Sequence, residues 1–264
     1  MELEDKVVVV TGAGNGIGRA LSRRFVAEGV RGLLAVDYDG EAARTVAHEL
    51  GDRVLAVEAD VGDETEHVAI VETAEARFGP IDLYCSNAGV ATGGGVEADP
   101  ADWQRIWEIN TMAHVWAAKA VLPSMRARGE GYLLNTASAA GLLTNLGAAP
   151  YSVTKHAAVA LAEWLSITHG HEGIKVSCLC PQGVRTNMLF PPGVDGDDIG
   201  AEAVRSQGVI EPEDVAEAVV EGLRAERFLI LPHPEVLDYF QFKAHDYDKW
   251  LAGMRKLQAR HFSG

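Results

Sequence analysis

Cysteine is scarce: the 264 residues hold three, Cys85, Cys178 and Cys180. An odd, sparse count speaks against a disulfide framework and for a reducing compartment. Cys178-x-Cys180 has the wrong spacing for a zinc pair and lies in an apolar, strand-like run, so core packing accounts for it. The nine histidines are scattered, and His169-Gly-His171 sits at the end of a helical stretch where solvation explains it. No metal site is expected. Positive charge is also short. Lysine and arginine total 23 against 38 acidic residues, a net charge of −15, which argues against a nucleic-acid partner. No apolar run approaches the roughly 20 residues of a membrane helix, and no membrane partner is expected. The first residues, Met1-Glu2-Leu3-Glu4-Asp5, are acidic where a signal peptide is basic, so the expected localisation is cytoplasmic. Internal repeats and low-complexity segments are missing. So is a G-x-S-x-G elbow, which leaves a serine hydrolase without its nucleophile.

What is present alternates. The β-branched run Lys6–Val10 reads as a strand buried on both faces. Further strands are expected at Leu33–Val36, Val54–Ala59, Ile81–Cys85, up to Ser138, Ile174–Leu179 and Phe228–Leu231, with helices between them. Asp39 and Asp63 stand where caps of two of these helices belong. One long helix is expected from about Pro100 to Arg126. This rhythm predicts an α/β fold, a Rossmann-like doubly wound parallel sheet in a single domain over 1–231. Ligands of such sheets bind at the carboxyl ends of the strands, where Thr11, Asp37, Asp60 and Asn87 fall.

After the first strand comes Thr11-Gly12-Ala13-Gly14-Asn15-Gly16-Ile17-Gly18. A strand, a glycine turn and a helix make a phosphate cradle. The spacing is T-G-x-x-x-G-x-G and not the commoner G-x-G-x-x-G. Asp37, 19 residues past Gly18, stands where an adenosine-ribose partner belongs. A carboxylate there accepts from both ribose hydroxyls and repels a 2′-phosphate, so NAD is expected over NADP. No lysine or arginine at Asn15 or just after Asp37 would receive that phosphate.

Tyr151 and Lys155 are four residues apart and share one helix face. A cation near a phenol favours the phenolate, so a lowered tyrosine pKa is expected, suited to proton exchange. Ser138, thirteen residues upstream, would place a hydroxyl beside the same substrate oxygen. Asn110, polar in a mainly apolar helix, reads equally as a functional residue or as a plain one, at the surface or satisfied by nearby backbone.

The segment 187–210 is long, rich in Pro, Gly and Asp, and reads as a flexible substrate loop. With Val90, Leu142, Leu143, Leu146, Met188, Leu189 and Phe190 as its apolar lining, the pocket suits a neutral, hydrophobic substrate. Asp195, Asp197 and Asp198 would repel anions. The extension 232–264 is rich in aromatics. Tyr247, Trp250, Leu251, Met254 and Leu257 mark one helical face, which packs on the core, meets a neighbouring subunit or covers the pocket.

Taken together, Thr11-Gly12…Gly16-Ile17-Gly18, Asp60, Asn87-Ala88-Gly89, Asn110, Ser138, Tyr151, Lys155 and Pro181…Gly183 resemble the short-chain dehydrogenase/reductase family from about Lys6 to Leu231. The resemblance implies an oxidoreductase that uses NAD(H) or NADP(H), and with Asp37 the leading expectation is an NAD-dependent enzyme interconverting a small-molecule secondary alcohol and its ketone. The alternatives are an NADP-dependent carbonyl reductase and a non-catalytic dinucleotide-binding protein. It implies Tyr151 as acid/base, Ser138 orienting the substrate oxygen, Lys155 holding the nicotinamide ribose and tuning Tyr151, and Asn110 positioning a relay water. Cofactor contacts are implied at Gly12, Gly14, Asn15, Gly16, Ile17, Gly18, Asp37, Asp60, Val61, Asn87, Ala88, Gly89, Tyr151, Lys155, Pro181, Gly183, Val184 and Thr186. A homodimer or homotetramer is implied too, and the tryptophans Trp103, Trp107, Trp116 and Trp164 exceed what one buried stripe absorbs. Two departures stand out: Ser86 where many members have asparagine, and Gln182 inserted between Pro181 and Gly183.

Overall fold

The computed structural model describes residues 1–191, 204–205 and 208–262. Seven strands form one parallel sheet: β1 Val7–Thr11, β2 Gly32–Asp37, β3 Val54–Glu58, β4 Leu83–Ser86, β5 Gly131–Thr136, β6 Ile174–Leu179 and β7 Leu229–Ile230. Their order is β3-β2-β1-β4-β5-β6-β7. The chain thus reverses direction across the sheet between β1 and β4, which opens a crevice at their carboxyl ends.

The apolar strand residues alternate between two cores. Val7, Val9, Leu34, Val36 and Leu133 face α3 Glu64–Phe78, α5 Ala113–Arg128 and α7 Ala149–His169. Val8, Val10, Leu33, Ala35 and Leu134 face α1 Gly16–Ala27, α2 Gly40–Leu50 and α8 Pro212–Arg224. Phe25 of α1 is fully buried in the second core; truncating such a ring to alanine costs about 3–5 kcal/mol. Asp39 and Asp63 accept N-terminal amides of α2 and α3, as their positions predicted.

The expected helix from Pro100 to Arg126 is not continuous. It runs as α4 Pro100–Trp107, a π-helical turn Glu108–Met112, and then α5. The wide turn carries Asn110, whose amide is held from outside the helix, and such turns are frequent at functional positions. After α6 (Ala140–Leu143) and α7, the extension folds as two helices, α9 Glu235–His245 and α10 Tyr247–Phe262. Val236 of α9 is fully buried in the first core, and Phe240 and Trp250 pack against it. Among the described residues no helix is long and apolar enough to cross a membrane.

Candidate active site

The glycine turn is built for close approach. Gly12 has a φ of +65°, and a Cβ there would lie 2.9 Å from the Ala88 Cα. A Cβ on Gly18 would stand 2.0 Å from the Gly12 carbonyl oxygen, a collision no side chain survives. Gly16 lies against Thr186, whose Cγ2 would be 2.9 Å from an added Cβ. Asn15 precedes α1 with no side-chain cap, and the first turn holds no acidic residue. The first amides of α1 therefore stay free for an anion. A pyrophosphate fits this cradle on shape and on charge.

Asp37 ends β2 beside the glycine turn. Its Oδ2 accepts the Gly14 amide at 2.8 Å and its Oδ1 the Asp39 amide at 2.9 Å. Arg19 pairs with Glu49 and Arg44 with Glu58, so neither guanidinium stands free for a phosphate. Asp60 has a partner the sequence did not reveal. Arg105 of α4 donates to its Oδ1 and Oδ2 at 3.0 and 2.9 Å, and the Gly62 amide donates to Oδ1 at 2.8 Å.

Asn87 ties three strand ends together. Its amide nitrogen Nδ2 donates to the Thr11 carbonyl at 3.0 Å, and its Oδ1 accepts from the Thr136 hydroxyl at 3.2 Å. Asn110 is fully buried, its Oδ1 accepting from the Val90 amide and its Nδ2 donating to the Val90 carbonyl, both at 2.9 Å. Satisfaction by nearby backbone is the arrangement observed. A Cβ on Gly89 would lie 3.3 Å from Asn110 Oδ1 and 3.4 Å from Lys155 Nζ, so this glycine leaves room for both to converge.

Ser138, Tyr151 and Lys155 meet at the end of the cleft. Ser138 hydrogen-bonds with the Tyr151 hydroxyl, and its Oγ also accepts the Ala140 amide at 3.1 Å. Lys155 is buried, donates to the Thr136 carbonyl at 3.0 Å, and lies 5.8 Å from the Tyr151 ring centre. One expectation is corrected here. Burial raises the Tyr151 pKa above its ordinary value, more than the Ser138 hydrogen bond lowers it. The same burial drops Lys155 to about 8. Desolvation opposes both charged forms and outweighs a cation that is not in contact with the phenol oxygen.

Pro181-Gln182-Gly183 leaves β6 under a clamp that no sequence motif signals. His233 Nδ1 accepts the Gln182 amide at 3.1 Å, which leaves Nε2 to donate to the Gly183 carbonyl at 3.0 Å. Burial lowers the His233 pKa and keeps this neutral tautomer. Only its distance in sequence, some fifty residues from Gln182, hid the pairing.

These parts line one cleft of about 1150 Å³. Its walls include Ser138, Tyr151, Lys155, Asp37, Asp60, Val61, Ala88, Pro181, Val184, Thr186 and the glycine turn with Asn15 and Ile17. Gly14, Asn110 and Gly183 stand behind the wall and not in it. Val90, Leu143, Leu146, Met188 and Leu189 line it as expected, whereas Leu142 faces the first core and Phe190 lies under Arg185. Most of the segment 187–210, with Asp195, Asp197 and Asp198, lies outside the described residues. The extension supplies wall instead: Tyr239, Phe242, Trp250, Met254 and Leu257 face the cleft, and Tyr247 and Leu251 do not. Of its three possible places, the pocket cover is occupied along with core packing.

A parallel sheet with a glycine cradle at its switch point and a serine, tyrosine and lysine converging beside it defines a dinucleotide-dependent oxidoreductase. Residues 6–191 match the short chain dehydrogenase family, and the chain belongs to that family. It is 38% identical over 218 residues to meso-2,3-butanediol dehydrogenase of Serratia marcescens, covering 82% of this chain and 86% of the relative. It is 36% identical over 246 residues to 1-deoxy-11-beta-hydroxypentalenate dehydrogenase of Streptomyces exfoliatus, covering 89% and 86%. A short-chain dehydrogenase/reductase from Burkholderia phymatum, solved in complex with NAD, superposes with a TM-score of 0.85 at 30% identity over 94% of this chain and 96% of the other. A nicotinamide cofactor goes with the family, and the cradle fits it.

Proposed function

We propose that the protein is an NAD-dependent dehydrogenase that interconverts a secondary alcohol, apolar around its reacting carbon, and its ketone. The observation that carries this reading is the convergence of Ser138, Tyr151 and Lys155 at the end of the cradle, in a wall otherwise mostly apolar. When bound, the nicotinamide supplies the hydride acceptor or donor. Ser138 holds the substrate oxygen against the Tyr151 hydroxyl. In alcohol oxidation Tyr151 takes the hydroxyl proton, and in ketone reduction it returns one. Lys155, fixed by the Thr136 carbonyl, holds a positive charge beside the ring and favours the state in which Tyr151 has lost its proton. The Asn110 amide keeps the Val90 backbone in place behind Lys155. Asp37 accepts ribose hydroxyls, which favours NAD over the NADP alternative. A non-catalytic binding protein would have no use for a buried lysine beside a serine–tyrosine pair. The free, buried cysteines accord with a reducing, cytoplasmic setting.

The test is Tyr151→Phe. The ring stays and the proton carrier goes, so turnover of secondary alcohols should fall by roughly a hundredfold or more, with NADH still binding by fluorescence titration. A folded variant that keeps most of its kcat would show that Tyr151 is not the acid/base.

A further inference from the structure

The core segments around Tyr151 give the cleft no cation left unpaired among the described residues, but the extension does. On α10, Trp250, Met254 and Leu257 turn an apolar stripe to the cleft, and Lys256 and Arg260, four residues apart, stand in the same wall. Neither cation pairs with a carboxylate among the described residues, in a chain of net charge −15 whose other cleft-side cations are tied down. Arg105 is held by Asp60, and Lys155 by the Thr136 carbonyl. The helices are docked: Lys243 of α9 buries its ammonium on the Leu142 carbonyl at 2.6 Å, and Phe242 meets Trp250 edge-on at 6.1 Å. This fixes α10 relative to the loop that follows Ser138.

We propose, resting on the dehydrogenase reading above, that the natural substrate is amphipathic. Its secondary alcohol lies at Tyr151, its apolar body along the stripe, and a distal carboxylate is held by Lys256 and Arg260. A guanidinium and an ammonium one helical turn apart offer a carboxylate charge-assisted hydrogen bonds. The pairing lies at the solvent-facing side of the cleft, where an anion keeps part of its hydration and avoids the cost of full burial. The expectation of a neutral substrate came from segments that do not include this helix.

The test uses the full chain and reads binding and chemistry separately. Calorimetric titration with octanoate and with 1-octanol, in the presence of NADH, should give octanoate the tighter Kd by at least about tenfold. Lys256→Ala/Arg260→Ala should remove that advantage and leave 1-octanol binding unchanged. In oxidation, 7-hydroxyoctanoate should show a lower KM than 2-octanol at similar kcat, and the double variant should raise only the former. Equal octanoate and octanol affinities in the unmodified protein, or equal losses for both ligands in the double variant, would overturn the proposal. Failure to oxidise 2-octanol or any other secondary alcohol, with the octanoate preference intact, would overturn the dehydrogenase reading and not the anion site.

Discussion

Replacing Asp37 by asparagine separates charge from shape at the adenosine end. The carboxylate already accepts one backbone amide on each oxygen, from Gly14 and from Asp39. A carboxylate offers about four acceptor positions, so about two remain for the two ribose hydroxyls. Asparagine keeps an oxygen for the Gly14 amide, which holds the glycine turn in place. It loses the charge on the ribose contacts. Hydrogen bonds to charged groups contribute about 1.5–3 kcal/mol and neutral ones about 0.5–1.5, so two weakened contacts cost about 2 kcal/mol, roughly thirtyfold in NADH affinity. A 2′-phosphate brings about −1.5 to −2 charges. Near a carboxylate in a solvated rim, each unit is repelled by about 1 kcal/mol, and removing that term returns roughly thirtyfold to NADPH. The ratio of the two affinities should therefore move by two to three orders of magnitude in Asp37→Asn. Fluorescence titration with NADH and NADPH reads this without knowing the substrate, and a thermal melt checks that the variant is folded. Equal binding of both cofactors by the unmodified protein would refute the reasoning. So would an asparagine variant that weakens both alike.

Acid should destabilise the fold before its carboxylates titrate. Burial lowers the pKa of His67 and His233, and pushes His114 down to about 3. Each binds a proton more readily when unfolded, so the stability from keeping it neutral is present above pH 6.5 and is lost as pH falls below it. For His114 the loss between pH 7 and 5.5 should be about 1 kcal/mol, and His114→Leu should remove that part of the slope in urea melts; a flat wild-type profile would contradict the burial argument. Assembly should be dimeric or tetrameric, because Val153, Trp164 and Ile167 of α7 stand 48%, 56% and 82% exposed. Light scattering at micromolar concentration checks this, and a monomer would refute it.

Most of the fold was readable because parallel strands buried on both faces write short, mainly apolar runs between helical stretches. The glycine turn, Asp37, Asn87, Ser138, Tyr151 and Lys155 were readable because each is a local pattern at a strand end or on one helix face. Three features escaped. The π turn at Asn110 depends on Val90, twenty residues away. The clamp of His233 on Gln182 and Gly183, and the pairing of one Arg105 nitrogen with both Asp60 oxygens, join residues with no shared local pattern. The direction of the Tyr151 shift also failed, since proximity in sequence gave the cation but not the degree of burial that opposes it.

The extension shows a different kind of limit. Hydrophobic periodicity finds the face of a helix that meets a core, because a core is apolar throughout. It placed Tyr247 and Leu251 with Trp250, Met254 and Leu257. The face that meets the cleft contains Trp250, Gly253, Met254, Leu257 and Arg260, with Lys256 at its side. Such a face has no reason to be uniformly apolar, because its partner is a space that a ligand fills, and the ligand's chemistry decides which residues suit it. A glycine there leaves room, and a cation there leaves a charge to be met. The stripe that departs from the hydrophobic pattern is therefore the part of α10 where specificity would be written, and it is there that the proposed carboxylate contacts of Lys256 and Arg260 fall.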